Sequence, residues 1–427
     1  MRNTTLRLIL VIFISVLTGY YFGINKVAIK WENYKPSLQV TNKQAPPQTN
    51  VDFSLFWKTW GLLEDNYYDK SKLDSAQMLN GAITGLVQSL GDSYTIYLPR
   101  QQNSDFKQNL SGQFSGIGAE LGLADKQVIV ISPLDGSPAQ RAGLKPEDAI
   151  LKVDGASTEN WTLPQAVEKI RGPRGTEVTL AILHKGSSEP LEIKVIRDVI
   201  TVKSVDGWIK SWKMEDGKWK MEDKCDNCPK VAYIRLSQFG DQTNKEWISL
   251  VNNLSLQIQN GKNVKGLILD LRNNPGGYLT DAVFIASEFL REGTPVVVEE
   301  NGRGSTTTIS VTRKGLFLDI PLVILVNKGS ASASEIVSAA TRDNNRTILV
   351  GETSFGKGTI QMAHDLGNGA GLHITIAKWL TPKKVWVNGQ GLKPDIEVKP
   401  DDKDPPIGEA GKSRDLQLEK AVEELVK

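Results

Sequence analysis

Asn327-Lys328-Gly329-Ser330-Ala331-Ser332-Ala333-Ser334-Glu335 follows the apolar run Leu322 to Val326. After it, Ala333, Ile336, Val337 and Ala340 recur at the spacing of one helix face. The pattern predicts a buried strand that turns sharply into a helix through small residues. A serine at such a turn has its hydroxyl at a helix N-terminus, where backbone N–H groups and the macrodipole favour negative charge. That suits a nucleophile, but it also suits an ordinary N-cap, for which serine is a preferred residue. Spacing alone does not choose among Ser330, Ser332 and Ser334.

A second turn upstream has related features. Lys265 to Arg272 reads as a buried strand, Asn273-Asn274-Pro275-Gly276-Gly277 as a tight turn, and Leu279, Ala282, Val283, Ala286, Phe289 and Leu290 as the next helix face. Gly276 and Gly277 leave backbone N–H groups with little side-chain cover. Two such turns together offer the pair of donors that an oxyanion hole requires.

A nucleophilic serine also needs a base. The chain has three histidines. His184 is remote in sequence, whereas His364 and His373 flank an apparent hairpin turn, Gly367-Asn368-Gly369. Either of these two would fit a Ser-His-Asp arrangement, without a supporting local motif. Lys357, between Gly356 and Gly358, is sterically open and is the better candidate. To act near neutral pH its pKa must drop by roughly 3 units from about 10.4, a shift that burial can supply. Gln361 is placed to orient the neutral amine. The same segment, Gly351 to Lys357, imitates a phosphate-binding loop. Gly358 stands where that loop needs Ser or Thr, and a strand follows where a helix should. Nucleotide binding is therefore not expected.

The 427 residues allow two or three domains, and a net charge of +2 gives no nucleic-acid footprint. Arg2 and Arg7 precede an uncharged apolar run, Leu8 to Ile24. This reads as a membrane anchor over residues 1–24, uncleaved because no A-x-A-like site follows, with the rest of the chain outside the cytoplasm. A cleaved signal would give the same compartment. Residues 25–50 read as a polar tether. Residues 51–110 form a helical N-terminal region: Phe53, Phe56, Trp57, Trp60 and Leu63 mark one helix face, and Ala76, Leu79, Ile83 and Leu86 a second. The insert at residues 209–230 contains Cys225 and Cys228, the only cysteines, and reads as a hairpin. A lone CxxC is compatible with a redox pair, half a metal site or a closed disulfide; an oxidising compartment favours the disulfide. No His or further Cys nearby completes a metal set. A terminal helix carries Leu416, Leu418, Ala421, Val422 and Leu425.

Residues 111–200 resemble a PDZ domain, with the glycine-punctuated loop Phe114 to Gly118, the short helix Ser137 to Gly143, and the helix opened by Thr162-Leu163-Pro164. The resemblance implies capture of a peptide's C-terminal carboxylate by Ser115, Gly116, Ile117 and Gly118. From about Phe56 to Leu425 the chain resembles the carboxyl-terminal processing peptidases, the tail-specific proteases with a Ser-Lys dyad. The matching motifs are Ser89 to Thr95, Leu269 to Gly277, Gly329 to Glu335 and Thr353 to Gly358. This implies Ser332 as nucleophile, Lys357 as base, Gln361 beside it, and oxyanion donors from Ala333 and the Gly276-Gly277 pair. It further implies a regulatory Arg171 and a structural Asp343. The expected fold is multidomain α+β: an anchor, a helical region, a PDZ-like domain, and an α/β protease core of ClpP/crotonase-like type over 201–400, with a linker and helix over 401–427. No cofactor or metal is expected. The expected partners are polypeptide tails and a membrane, with the aromatic and terminal helices as elements of a homodimer. The insert and Thr381 to Trp386 depart from the family pattern. The rival readings are an inactive PDZ scaffold and a hydrolase with a histidine base.

Overall fold

A computed structural model describes residues 27–32, 35–40, 51–124, 127–134, 136–222, 225, 227–261, 263–400 and 415–427. The expected anchor lies outside them. Among the described residues no helix is long and apolar enough to cross a membrane. The chain divides into two units, Met1–Met78 and Leu79–Lys427. In the first, β1 (Val27–Glu32) and β2 (Lys35–Val40) pair antiparallel, so a hairpin occupies part of the expected tether. The aromatic stripe forms helix α1 (Ser54–Asn66), none of whose residues is buried.

Helix α2 (Ser75–Gln88), β3 (Ile96–Leu98) and α3 (Arg100–Leu110) precede the PDZ-like module. Ile83 and Val87 pack toward Tyr97, while Leu79 and Leu86 are exposed; the apolar face of α2 is therefore displaced from the one expected.

The module runs through β4 (Gln113–Gly116), β5 (Ala119–Ala124), β6 (Gln127–Pro133), α4 (Pro138–Arg141), β7 (Ala149–Val153), β8 (Ala156–Ser157), α5 (Leu163–Ile170), β9 (Glu177–Leu183), β10 (Leu191–Ile196) and β11 (Asp198–Thr201). Its main sheet has the order β10-β9-β7-β6-β5, which leaves β5 at an edge. Alternating apolar residues of β6 and β9, such as Val128, Val130, Leu180 and Ile182, face Ala166 and Ile170 of α5. The helix start is fixed by a reciprocal cap between Thr162 and Gln165.

The protease-like core comprises β12 (Val205–Glu215), β13 (Lys218–Met221), β14 (Lys230–Leu236), α6 (Thr243–Asn260), β15 (Val264–Asp270), α7 (Leu279–Ala286), β16 (Pro295–Asn301), β17 (Thr306–Ser310), β18 (Leu322–Val326), α8 (Ala333–Asp343), β19 (Ile348–Gly351), β20 (Thr359–Gly367), β21 (Ala370–Leu380), β22 (Ile396–Glu397) and α9 (Leu416–Val426). The central sheet has the order β13-β12-β14-β15-β18-β19-β22, parallel from β14 onward. β15 and β18 are continuous apolar runs because both their faces are covered. Trp247, Leu254, Ile285 and Val337 from α6, α7 and α8 cover one face. Leu418, Ala421 and Val422 of α9 cover the other, with Trp212 of β12. A second sheet, β17-β16-β21-β20, takes β3 as an added strand on β21.

The expected insert proves continuous with the core. Ile209, Lys210 and Ser211 pair with β14, and only beyond them does the strand run out into the hairpin with β13. Cys225 and Cys228 are joined as a disulfide. Deep under α9, Arg272 is bonded to Asp270, Asp415 and Gln417. Burial alone would raise the Asp270 pKa; Arg272 and Arg235 more than offset it and hold the carboxyl below its usual range.

Candidate active site

The serine turn is built as a strained corner. Ser332 has φ 55° and ψ −113°, a region where a residue with a Cβ pays conformational energy unless its surroundings over-determine it. The restraints are identifiable. The Ser332 N–H donates to Glu335 Oε2 at 2.8 Å. The Ala331 N–H donates to the Asn274 carbonyl at 3.0 Å. The Ser334 hydroxyl donates to the same carbonyl at 2.9 Å, and the Ser330 hydroxyl to the Leu271 carbonyl at 2.9 Å. Ser330 and Ser334 are thus fully buried struts. Ser332 is half-buried, and its hydroxyl is the one of the three with no strut of this kind among the described residues.

The second turn is strapped to the first. Asn327 and Asn273 exchange bonds: Asn273 N–H to Asn327 Oδ1 at 2.8 Å, and Asn327 Nδ2 to Asn273 Oδ1 at 2.7 Å. A Cβ on Gly276, whose φ is +96°, would lie 2.8 Å from Ser332 Cβ and 2.9 Å from Ala333 N. The glycine is needed for that approach. The expected donor role of Gly276 is corrected, because its N–H is already given to Asn274 Oδ1 at 2.8 Å. The amides of Gly277 and Ala333 have no acceptor among the described residues.

Lys357 is brought to the same corner through Glu335. This fully buried carboxylate accepts from Ser354 Oγ at 2.6 Å, Gly356 N at 2.7 Å and Lys357 N at 2.9 Å, in addition to Ser332 N. The amides of Ser332 and Lys357 share one carboxylate oxygen. Two tryptophans hold the lysine loop from behind: Trp379 Nε1 donates to the Lys357 carbonyl at 2.7 Å and Trp386 Nε1 to that of Gly358 at 2.8 Å. Burial pushes the Lys357 amine below its usual pKa, while the negative charges of Asp92 and Glu335 act the other way. Its Nζ lies 5.1 Å from the centre of the Tyr94 ring. Gln361 donates to Thr359 and Thr375, at 2.9 Å and 3.1 Å, not to the lysine.

The histidines are placed elsewhere. His364 is exposed on β20. His373 is buried edge-on against Phe106, and burial, followed by the nearby charge of Lys357, lowers its pKa. Neither bonds to Ser332 among the described residues. Asp343 accepts from the Lys383 N–H at 3.1 Å, a structural contact. Arg171 stacks over Phe114 at 4.9 Å, and among the described residues it contacts neither Ser332 nor Lys357. At the peptide loop, Ser115 and Gly116 belong to β4, which pairs with β11. The amides of Ile117 and Gly118 have no partner among the described residues.

Sequence reasoning missed Glu335, Asp92, Tyr94 and the two tryptophans. The signals were slight: Glu335 stands three residues after Ser332, the interval of a capping box.

The Peptidase family S41 model matches residues 230–398, the PDZ domain model 104–183, and the model of the activating protease CtpB N-terminal domain 13–102. The carboxy-terminal processing protease CtpB of Bacillus subtilis (strain 168) is 33% identical over 90% of this chain and 75% of its own length. A CtpA-like serine protease of Staphylococcus aureus (strain N315) is 38% identical over 90% of this chain and 72% of its own. The structure of an S41 protease from Bacteroides fragilis NCTC 9343 covers 90% of this chain and 99% of that one with a TM-score of 0.56; at 16% identity this is a likeness of fold alone.

Proposed function

Since the chain belongs to peptidase family S41, as a carboxy-terminal processing serine protease with a PDZ domain, we propose that it cleaves peptide bonds with a Ser332–Lys357 dyad. The observation that carries this is the shared anchor, Glu335, which fixes a strained serine and a half-buried lysine to one point. Lys357 in its neutral form takes the Ser332 proton as Oγ attacks the scissile carbonyl. The N–H groups of Ala333 and Gly277 bond the oxyanion. Collapse of the intermediate breaks the C–N bond, the lysine returns the proton to the leaving amine, and water hydrolyses the acyl-enzyme. Gln361 keeps the threonines beside the lysine in place. The substrate's C-terminal carboxylate is held by Ile117 and Gly118, with the tail added as a strand to the free edge of β5, and Arg171 adjusts that grip through Phe114. Residues 1–24 anchor the enzyme in a membrane, so that substrates are extracytoplasmic polypeptides, and two copies associate as a dimer.

The test is cleavage of a peptide that ends in an apolar tail, by wild type, Ser332→Ala and Lys357→Ala. Both variants should keep the fold and lose cleavage, and blocking the peptide's carboxylate as an amide should raise KM. Full activity in either variant would refute the dyad.

A further inference from the structure

The loop Asp92-Ser93-Tyr94-Thr95 before β3 is far in sequence from the serine and the lysine, yet it forms a wall of their site. Asp92 is held at several points. Its carboxylate accepts from the Tyr94 N–H at 3.0 Å and the Thr95 hydroxyl at 2.6 Å. The Thr375 hydroxyl also donates to it. The Thr375 N–H donates in turn to the Thr95 oxygen at 3.0 Å, and Gln361 donates to the Thr375 oxygen at 3.1 Å. A chain of hydrogen bonds therefore runs from Gln361 to Asp92. It fixes the orientation of Tyr94, whose ring face receives Lys357 Nζ at 5.1 Å.

A lysine base has a problem that this wall answers. When the Ser332 proton passes to Nζ, a positive charge appears in a site where water is scarce. It must persist until the C–N bond breaks and the proton leaves with the amine. A negatively polarised ring face and a fixed carboxylate favour that charge. We propose that Tyr94 and Asp92 are positioning residues of the reaction, which hold the Lys357 side chain and stabilise its protonated form, as the third residue of a triad does for its histidine. This rests on the reading of Lys357 as the base. The other titratable groups around the lysine are Glu335 of α8, whose oxygens are taken by four donors, and His373 of β21, with Lys107 of α3 acting on that histidine.

The experiment is a pH profile of kcat and KM on a tail peptide for wild type, Tyr94→Leu, Tyr94→Phe, Asp92→Asn and Lys357→Ala, each with a melting temperature. Tyr94→Leu should lose about tenfold in kcat at unchanged KM, and Tyr94→Phe, which keeps the ring, should restore most of it. Asp92→Asn should move the acid limb of kcat down by about one pH unit, because an amine without a facing carboxylate gives up its proton more readily. Wild-type kcat in Tyr94→Leu, or an Asp92→Asn profile that superimposes on wild type, overturns the proposal when Lys357→Ala is inactive. An active Lys357→Ala removes the base reading itself. If Asp92→Asn fails to fold, the Leu and Phe pair at Tyr94 decides.

Discussion

Three serines alternate with alanines in the turn that opens α8, and their hydroxyls have different surroundings. Ser330→Ala and Ser334→Ala should each lose about 1–3 kcal/mol of stability, because the buried partners of their hydroxyls are left unsatisfied, and keep most cleavage. Ser332→Ala should do the reverse, and urea titration beside the peptide assay separates the two outcomes. Gly276→Ala should lower kcat by about a hundredfold although its N–H is not an oxyanion donor, because the added Cβ would press on Ala331 and displace the donors beside it. Activity should rise with pH along the titration of Lys357. In the proposed dyad the neutral amine takes the proton, so protonation below its pKa should remove activity, and burial places that pKa below the usual lysine value. The types of these residues were legible in the sequence, since a serine at a strand-to-helix turn and a glycine-flanked lysine are local patterns. Which glycine donates was not legible, because the answer depends on the side chain of Asn274 two residues earlier. Choosing Ser332 needed either a family resemblance or the tertiary partners of Ser330 and Ser334.

Helix α8 begins where β18 ends, and its first turn does more than start a helix. Glu335 caps that turn and also gathers the loop from Ser354 to Lys357, so Ser332 and Lys357 cannot shift independently. Glu335→Gln keeps the volume but presents an amide NH2 where carboxylate oxygen accepted. It should cost about 2–4 kcal/mol of stability and a larger factor in kcat than in KM, read by urea titration and peptide kinetics. Several elements were readable from apolar spacing: α8, α9, β15 and β18 lie where the patterns place them, whereas α7 ends at Ala286, short of the expected Phe289 and Leu290. The errors came from tertiary context. In α2 the buried stripe is Ile83 and Val87 because β3 and β21 lie on that side. The pairing of β1 with β2 was concealed by prolines and polar residues, which read as a tether.

In the core, α9 closes one face of the central sheet and joins it through Arg272, five residues before Gly277. Removing residues 415–427 should therefore lower the melting temperature and abolish cleavage together, measured by thermal denaturation and the peptide assay, since Asp270 and Arg272 lose their cover and Leu418, Ala421 and Val422 leave an apolar face open. The presence of a PDZ-like module and an α/β core was visible from the order of motifs. That the insert would be part of the central sheet was not, because its lysines and tryptophans have no clear period. The hairpin has a consequence for molecules at high concentration. β13 is the last strand of the sheet, with Trp219 and Met221 packed toward the α9 side and Lys218 and Lys220 outward, Lys220 paired with Glu215 at 2.9 Å. An unprotected sheet edge invites a strand from a neighbouring molecule, and lysines deter it through the cost of stripping water from their charges. The two lysines of β13 should therefore lower the tendency of this edge to pair with a neighbour. Replacing both lysines with valine should leave the fold intact and bring concentrated solutions to scatter light.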